Sequence, residues 1–422
     1  MTDLSPNTSL RATAEAATTE EVDENIIRTI FLKNKKNELF VQQSPELLIA
    51  TENYQGVFAP KDARRRSRLV ARLAKTGGNL SSLTAEELRE FGKKGFPEEY
   101  RSKAYEVLLN IESFEIRYGK DFFSKCLKTD IPSSVGRVIQ VDIPRTLNAF
   151  VSTCGEVTRA TLMKMLRDVL WAFAVHKPEV GYCQSMNFIA AYFLSIFGSA
   201  KKSFYALVQF IDSPTSPYVG LHIAGYYAPG MAQLLTEIGL LEEMCRSRLG
   251  EKSYRNFFER REISHLSLIV SEWFLTCYVT IFPLRTTQRV MDFLISNGGG
   301  SSKVLFRIAY VLLTELVNRP HELADLDQVM QGHKRITKNW VDHNRLIVGA
   351  TRGIKMFSRT DIERWRKKVL NRMNGTGSGG SSLAHPTGTT MMKLEEAIAP
   401  QTTTTLTVPE DAVFVEPEEI NK

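Results

Sequence analysis

Apolar residues recur at helical spacing along most of the chain. Within residues 158–175 they occur at Leu162, Met165, Leu166, Val169, Leu170 and Phe173. Intervals of three and four positions place them on one face of an amphipathic helix, which ends before Pro178. A second apolar helix is predicted from about Gln184 to Phe197. Comparable patterns cover roughly residues 203–212, 230–247, 253–260, 266–281, 284–296, 302–317 and 358–371. No series of alternating strands with hairpin turns is found, so the predicted fold class is all-α.

Local chemistry marks the start of the densely helical region. Thr84 and Glu87 have the spacing of a capping box, which predicts a helix through Phe91. Pro97 suits the first turn of the next helix, because proline lacks the N–H that a helix start leaves unbonded. The pattern predicts a folded domain over residues 85–350, with residues 351–373 as its C-terminal helix.

The two ends of the chain differ in composition from this domain. Residues 1–22 contain few bulky apolar side chains, and residues 374–422 are rich in Gly, Ser and Thr and end in acidic residues. Such segments cannot bury enough apolar surface to offset the entropy of ordering. We therefore predict a disordered N-terminus at 1–22, a lead-in segment at 23–84 and a disordered acidic tail at 374–422.

The lead-in segment contains a basic stretch, residues 61–75. Five arginines lie within it, and Leu69, Val70 and Leu73 suit one face of a helix. A solvated helix is the simpler interpretation. The alternative is contact with an anionic membrane surface or an acidic partner.

Composition and charge narrow the class of protein. The chain has 422 residues with a net charge of +7, and the acidic tail leaves about +12 on the remainder. A basic body suits an acidic protein, a membrane surface or nucleic acid, but no zinc-finger spacing or RRM-like motif is found, so no nucleic-acid partner is predicted. The five cysteines lack C-x-x-C spacing, which predicts reduced thiols and no metal site. Without a signal-peptide pattern, and with apolar runs near ten residues, the predicted location is the cytoplasm, with peripheral contact with endomembranes left open.

Two short polar segments stand out against the helical background. The first runs from Val138 to Thr146, and the second from Val180 to Asn187. We expect both in or beside loops, because Pro144 restrains the preceding residue toward extended backbone and Gln184 in the second segment follows a proline and a glycine. A lone Asp-x-x-Arg is usually an ion pair, and a lone Tyr-x-Gln is less informative still. Their combination points to a site that presents an arginine and a glutamine from a rigid scaffold.

Such a pair suits help with phosphoryl transfer. The loose, charge-spread transition state of GTP hydrolysis is stabilised by a cation on the phosphates and by a group that orients the attacking water. The planar guanidinium of arginine fits the first task, and the amide of glutamine fits the second. Neither needs a metal or a cofactor, and none is predicted.

The motifs resemble those of the TBC family of Rab GTPase-activating proteins. Ile139, Asp142 and Arg145 match its I-x-x-D-x-x-R motif, and residues 181–187 are similar to its G-Y-x-Q-G-M-N motif. Upstream, residues 95–97 with Arg101 resemble the opening segment of the family. Downstream, the later helices are matched at residues 271–275, 283–284, 289, 292 and 305–307. The resemblance covers about residues 85–350.

The resemblance implies an all-helical, V-shaped, two-lobed domain and a role for each motif residue. Arg145 is then an arginine finger and Gln184 a glutamine finger, both acting in trans on a GTP-bound Rab that regulates vesicle trafficking. Asp142 would brace the Arg145 segment, Tyr182 would help to dock the GTPase, and Arg101 would form an ion pair at the base of the finger segments. Thr146 and Asn187 join them as supporting or Rab-binding residues. The protein would then have no substrate turnover of its own.

Two alternatives stay open: a TBC-like scaffold that binds a Rab without stimulating hydrolysis, and an all-helical adaptor. The chain also departs from the family pattern. Tyr105 and Met291 replace common tryptophans, and Leu147 with Asn148 replaces a frequent Phe-Pro pair. Ser185 stands where glycine is common. If that position needs a positive φ, serine adds strain of about 1 kcal/mol or more, and in a first helical turn it would be harmless.

Overall fold

The computed structural model describes residues 59–75, 77, 80–150, 155–252, 254, 259–260, 263–297, 302–317, 326–352 and 359–373. The predictions for residues 1–22, for most of the lead-in segment before residue 59 and for the tail 374–422 lie outside this part. The predicted all-α class is confirmed.

The first group of helices runs up to the middle of the chain. Its members are α1 (Ala59–Ala74), α2 (Ala85–Gly92), α3 (Glu98–Leu108), α4 (Ile111–Tyr118), α5 (Phe122–Lys128), α6 (Ser133–Phe150), α7 (Glu156–His176), α8 (Met186–Phe197) and α9 (Ala200–Asp212). Short 3-10 turns lie at Leu80–Ser82 and Ala224–Tyr226. The capping box at α2 is present, with Thr84 accepting from the Glu87 N–H and the Glu87 side chain accepting from the Thr84 N–H.

The second group completes the fold. Its helices are α10 (Ala232–Leu249), α11 (His265–Leu275), α12 (Leu284–Asn297), α13 (Lys303–Val317), α14 (Leu326–Lys338), α15 (His343–Arg352) and α16 (Arg359–Met373). A minimal antiparallel pair joins β1 (Glu259–Arg260) to β2 (Ile263–Ser264). Helix α13 packs on α15, α12 packs on α2, and α16 packs on α10.

Two predicted helix limits in this group were wrong. The helix expected to reach residue 281 ends at Leu275, because Cys277 and Tyr278 have left-handed backbone with φ of 47° and 64°. The pattern at 253–260 ends in strand β1. Both segments contain apolar residues, and periodicity alone does not separate a buried turn or short strand from a helix.

The core around α7 and α8 supports the candidate site. Helix α7 packs against α6, α8 and α9, and α8 packs against α6 and α9. All residues of α8 except Phe188 are buried. The apolar face predicted for α7 is found, with Leu162, Leu166, Val169 and Leu170 at most 1% exposed. Within the described ranges, no helix is long and apolar enough to span a bilayer.

Replacement of Leu166 by alanine is expected to lower the free energy of unfolding by about 2–5 kcal/mol, because it removes buried methyl groups and leaves a cavity. Leu166 is 0% exposed, whereas Val157 of the same helix is 83% exposed. Val157→Ala therefore serves as the matched control and is expected to stay within about 0.5 kcal/mol. Denaturant unfolding measures both, and equal values for the two variants would contradict the assigned face.

Candidate functional site

Arg145 lies inside a helix, which corrects the expectation of a loop. Helix α6 continues through Pro144, although proline removes the hydrogen bond that the carbonyl of Gln140 would accept from position 144. The burial of Ile139, Ile143 and Leu147, each at most 4% exposed, offsets that loss by packing one face of α6 into the core. Tertiary packing here overrides the local preference of the residue before proline.

The opposite face of α6 is open to solvent. Val138 and Val141 are 48% and 51% exposed, and Arg145 is exposed as well. Their spacing of three and four residues puts all three on one side of the helix. The guanidinium of Arg145 has no hydrogen-bond partner within the described residues, so it is available to an incoming acceptor.

Gln184 lies in the nine-residue loop 177–185 that joins α7 to α8, as predicted. At its start, the carbonyl of Lys177 accepts hydrogen bonds from the N–H groups of Val180 and Gly181, at 3.0 and 2.8 Å. Gly181 has a φ of 64°, which turns the chain toward Tyr182. Gln184 itself is half-buried, so the residue retains some exposure to solvent.

A chain of hydrogen bonds joins this loop to α6. The hydroxyl of Tyr182 donates to Asp142 Oδ2 at 2.7 Å, and the hydroxyl of Thr146 donates to the carbonyl of Asp142 at 2.7 Å. Asn187 Nδ2 donates to Thr146 Oγ1 at 2.6 Å. The N–H of Ser185 in turn donates to Asn187 Oδ1 at 2.8 Å. The two motifs, 39 positions apart at Arg145 and Gln184, thus share one polar network.

The charges of this network follow from its burial. Burial raises the pKa of the Asp142 carboxyl above its ordinary value, although the hydrogen bond from Tyr182 and the charge of Arg145 act in the other direction. Burial and the neighbouring carboxylate raise the pKa of Tyr182 strongly, so the phenol keeps its proton. Asp142 accepts a hydrogen bond from Tyr182. Its interaction with Arg145 is a charge interaction without a hydrogen bond.

Two backbone conformations were considered for Ser185, a positive φ and a first helical turn. The structure has the strained one, with a positive φ. At Ser185 φ is 91° and ψ is −27°, immediately before the first residue of α8, and the residue is 1% exposed. A side chain in this region costs of order 1–3 kcal/mol. The strain lies one residue after Gln184 and is held by the Ser185–Asn187 hydrogen bond.

Ser185→Gly is expected to raise the free energy of unfolding by about 1 kcal/mol, because glycine relieves the strain and the greater freedom of the unfolded chain cancels part of that gain. Ser195→Gly is the control, since Ser195 lies within α8 and glycine there should destabilise by about 1 kcal/mol. Thermal or denaturant unfolding gives both values. A loss of stability in Ser185→Gly would contradict the assignment of strain.

Arg101 forms a buried ion pair. Its Nε lies 3.0 Å from Asp292 Oδ1, its Nη1 lies 2.6 Å from Glu98, and its Nη2 donates to the carbonyl of Phe96 at 2.6 Å. Burial alone would lower the pKa of Arg101, but Asp292 and Glu98 hold it well above its ordinary value. The partners lie on α12, at the start of α3 and just before it, so the pair joins the beginning of the domain to α12.

Sequence reasoning missed the hydroxyl link that connects this cluster to α8. Tyr105 donates to Asp292 Oδ1 at 2.7 Å, and its hydroxyl lies 3.1 Å from that of Tyr192 in α8. Tyrosine at position 105, where the family commonly has tryptophan, supplies the oxygen for this link. In the sequence, the sign of this link was the replacement of the common tryptophan by Tyr105.

Within the described ranges, no group of three or more His, Cys, Asp or Glu side chains is placed to hold a metal ion. The candidate site consists of Arg145 on a solvent-facing helix side, Gln184 on a braced loop, and the polar network that joins the helix to the loop. It can offer a fixed charge and an amide to a bound partner.

Comparison with known proteins gives the class to which this fold and site belong. Residues 98–320 match the model of the Rab-GTPase-TBC domain. The chain belongs to this family.

Individual relatives agree with this assignment. The chain is 30% identical to human growth hormone-regulated TBC protein 1 over 274 residues. This alignment covers 65% of this chain and 76% of the relative. The fold is similar to that of a Chlamydomonas flagellar RabGAP TBC domain, with a TM-score of 0.54 and 19% identity over 73% of this chain and 94% of that one. The Ypt/Rab-GAP domain of Gyp1p gives a TM-score of 0.55 at 14% identity, covering 72% of this chain and 98% of that one.

Proposed function

We propose that this protein accelerates GTP hydrolysis by a GTP-bound Rab-type GTPase and thereby regulates vesicle trafficking. The observation that carries the proposal is the polar network from Tyr182 to Asn187, which fixes the Arg145 helix and the Gln184 loop to each other. Both side chains retain access to solvent. The pair acts in trans, so the chemical turnover belongs to the GTPase.

Arg145 supplies positive charge to the phosphates. Its guanidinium is permanently charged and presents several donors in one plane, which suits the spread charge of the transition state. The helix that carries it packs Ile139, Ile143 and Leu147 into the core, so its backbone needs little reorganisation at the moment of reaction.

Gln184 orients the attacking water. A primary amide offers an acceptor and two donors, which are the groups needed to hold a water in line with the γ-phosphate. The loop that carries it is fixed at its end by the Ser185–Asn187 hydrogen bond. In this mechanism Gln184 takes the role that the GTPase's own switch glutamine has without an activator.

The valines beside Arg145 define the partner surface. Along a helix Val141 lies about 6 Å and Val138 about 10 Å from Arg145. If Arg145 reaches the phosphates, the GTPase surface next to its nucleotide must cover these side chains. That surface is therefore apolar where it meets α6.

Val138→Asp is expected to raise the KM for the GTPase by about tenfold or more, because it places a carboxylate in an apolar contact. The value of kcat should change little, since position 138 lies about two helical turns from Arg145 and the lost contact is the same in ground and transition states. Val348→Asp is the matched control, because Val348 is 47% exposed on α15 and Val138 is 48% exposed. Equal KM values for the two variants would place the partner elsewhere.

The apolar residues of the basic helix α1 do not favour insertion of this helix into a membrane. Leu69 and Leu73 are 1% and 2% exposed, so the apolar face that insertion would need is already packed. Arg66 pairs with Glu99 at 2.6 Å and Arg72 with Glu87 at 2.5 Å. A peripheral contact with endomembranes by a cytoplasmic protein would thus be electrostatic and sensitive to salt.

A panel of purified GTP-loaded Rab-type GTPases tests the proposal. The full chain is added to each, and single-turnover phosphate release is measured. Stimulation of at least one member supports the activator function. Tight binding without stimulation would favour the scaffold, and absence of both binding and stimulation across the panel would favour the adaptor.

A further inference from the structure

The glutamine loop needs a fixed start as well as a fixed end. Its end is held by Asn187, whereas its start follows directly from the last residue of α7, His176. Lys177 is the first loop residue, and its carbonyl accepts the two hydrogen bonds that set the turn before Tyr182. Any movement of Lys177 is therefore passed to the segment that carries Gln184.

The side chain of Lys177 is tied to two other parts of the chain. Its Nζ lies 2.7 Å from Asp212 Oδ2, at the end of α9, and 3.9 Å from Glu179. The other oxygen of Asp212 is 3.0 Å from His222 Nδ1, which donates because an ionised carboxylate only accepts. We call Lys177, Asp212 and His222 the ionic bracket.

The base of the bracket is itself held by backbone hydrogen bonds. Leu221 N–H donates to the carbonyl of Phe210 and Ile223 N–H to that of Ile211, both at 2.8 Å. These bonds fix the segment of His222 on the last turn of α9. Burial works to raise the pKa of Asp212, but the hydrogen bonds from Lys177 and His222 hold it below its ordinary value. The carboxylate is thus charged at neutral pH and holds the ammonium group.

We propose that the ionic bracket of Lys177, Asp212 and His222 positions Gln184 by fixing the start of its loop. This inference rests on the proposed function and adds positioning residues outside the arginine and glutamine motifs. Lys177 acts through the loop backbone and does not touch the reacting atoms.

The ionic bracket is partly exposed. Its loss is therefore expected to affect the rate of stimulated hydrolysis much more than the stability of the fold. The side chains of Lys177 and Asp212 are 17% and 33% exposed. Ion pairs of this kind contribute little to global stability. A displacement of about 1 Å at a catalytic group, in contrast, costs up to about 100-fold in rate.

Lys177→Met keeps the aliphatic stem and removes the charge. In the full chain, with a GTPase found in the panel, it is expected to lower kcat about 10- to 100-fold with little change in KM or in melting temperature. Lys177→Arg should recover much of the loss. Lys201→Met is the matched control, since Lys201 forms an ion pair with Glu115 on the α4 side of α9 and its loss should leave kcat unchanged.

The positioning role is tested further in the Gln184→Ala background. If Lys177 acts through Gln184, Lys177→Met should lower kcat far less in that background than in the wild-type chain. An equal fold-loss in both backgrounds, or a Lys177→Met variant that matches Lys201→Met, would overturn the inference.

Amide hydrogen exchange provides a readout that does not need a GTPase. Exchange at residues 180–186 is expected to be faster in Lys177→Met than in Lys201→Met. Unchanged exchange there would overturn the inference even if the activity is present. Failure of every GTPase to respond to the wild-type chain would instead overturn the proposed function, while faster exchange would still support the bracket.

Discussion

Arg145→Ala is expected to lower the stimulated rate of GTP hydrolysis by about 10³- to 10⁵-fold, the range typical of arginine fingers. The side chain acts on charge that develops in the transition state, so kcat should fall much more than the affinity for the GTPase. Arg145→Lys keeps the charge but loses the planar fork, and we expect it to fail nearly as badly. Single-turnover phosphate release with GTPase in excess measures both variants.

The control for this experiment lies on the same helix. Arg137 of α6 is also exposed, so Arg137→Ala removes an equal charge eight residues away. A general electrostatic role for α6 predicts similar losses in the two variants, whereas an arginine finger predicts a large loss in one only. Full activity in Arg145→Ala on every GTPase that binds would leave the scaffold interpretation.

Gln184→Ala is expected to lower the stimulated rate by a factor comparable to, or somewhat smaller than, that of Arg145→Ala. The two side chains act on one transition state, so the double variant should lose less than the product of the single losses. The same single-turnover assay measures the three variants.

The GTPase's own glutamine supplies the sharpest test of this role. If Gln184 orients the water, a GTPase whose switch glutamine is replaced should keep much of its stimulated rate. Stimulation that vanishes with the GTPase glutamine but survives Gln184→Ala would contradict the role of Gln184. The contribution of this protein would then be Arg145 alone.

The features that depend on residues close together in the sequence were predicted correctly. The apolar face of α7 and the capping box at Thr84 follow from residues three and four apart, and both are present. The position of Gln184 in a loop followed from Pro178 and Gly181. These features depend on neighbours in sequence, so a single chain is enough to infer them.

Features that depend on distant residues could not be predicted in this way. Pro144 indicated a loop, but burial of Ile139, Ile143 and Leu147 on one face of α6 keeps the helix intact. The Tyr105–Asp292 hydrogen bond joins residues 187 positions apart, and the Lys177–Asp212 pair joins residues 35 positions apart. No local spacing encodes such pairs, because their proximity results from the packing of whole helices.

Under the proposed function, the bond from Tyr182 to Asp142 limits how this tyrosine would recognise a partner. A phenol has one proton to donate, and here that proton is engaged inside the protein. Tyr182 can therefore meet an incoming surface only with its ring or with a lone pair of its oxygen. Selection at this position would favour a partner that presents apolar surface or a hydrogen-bond donor, and it would give no advantage to one that presents a carboxylate.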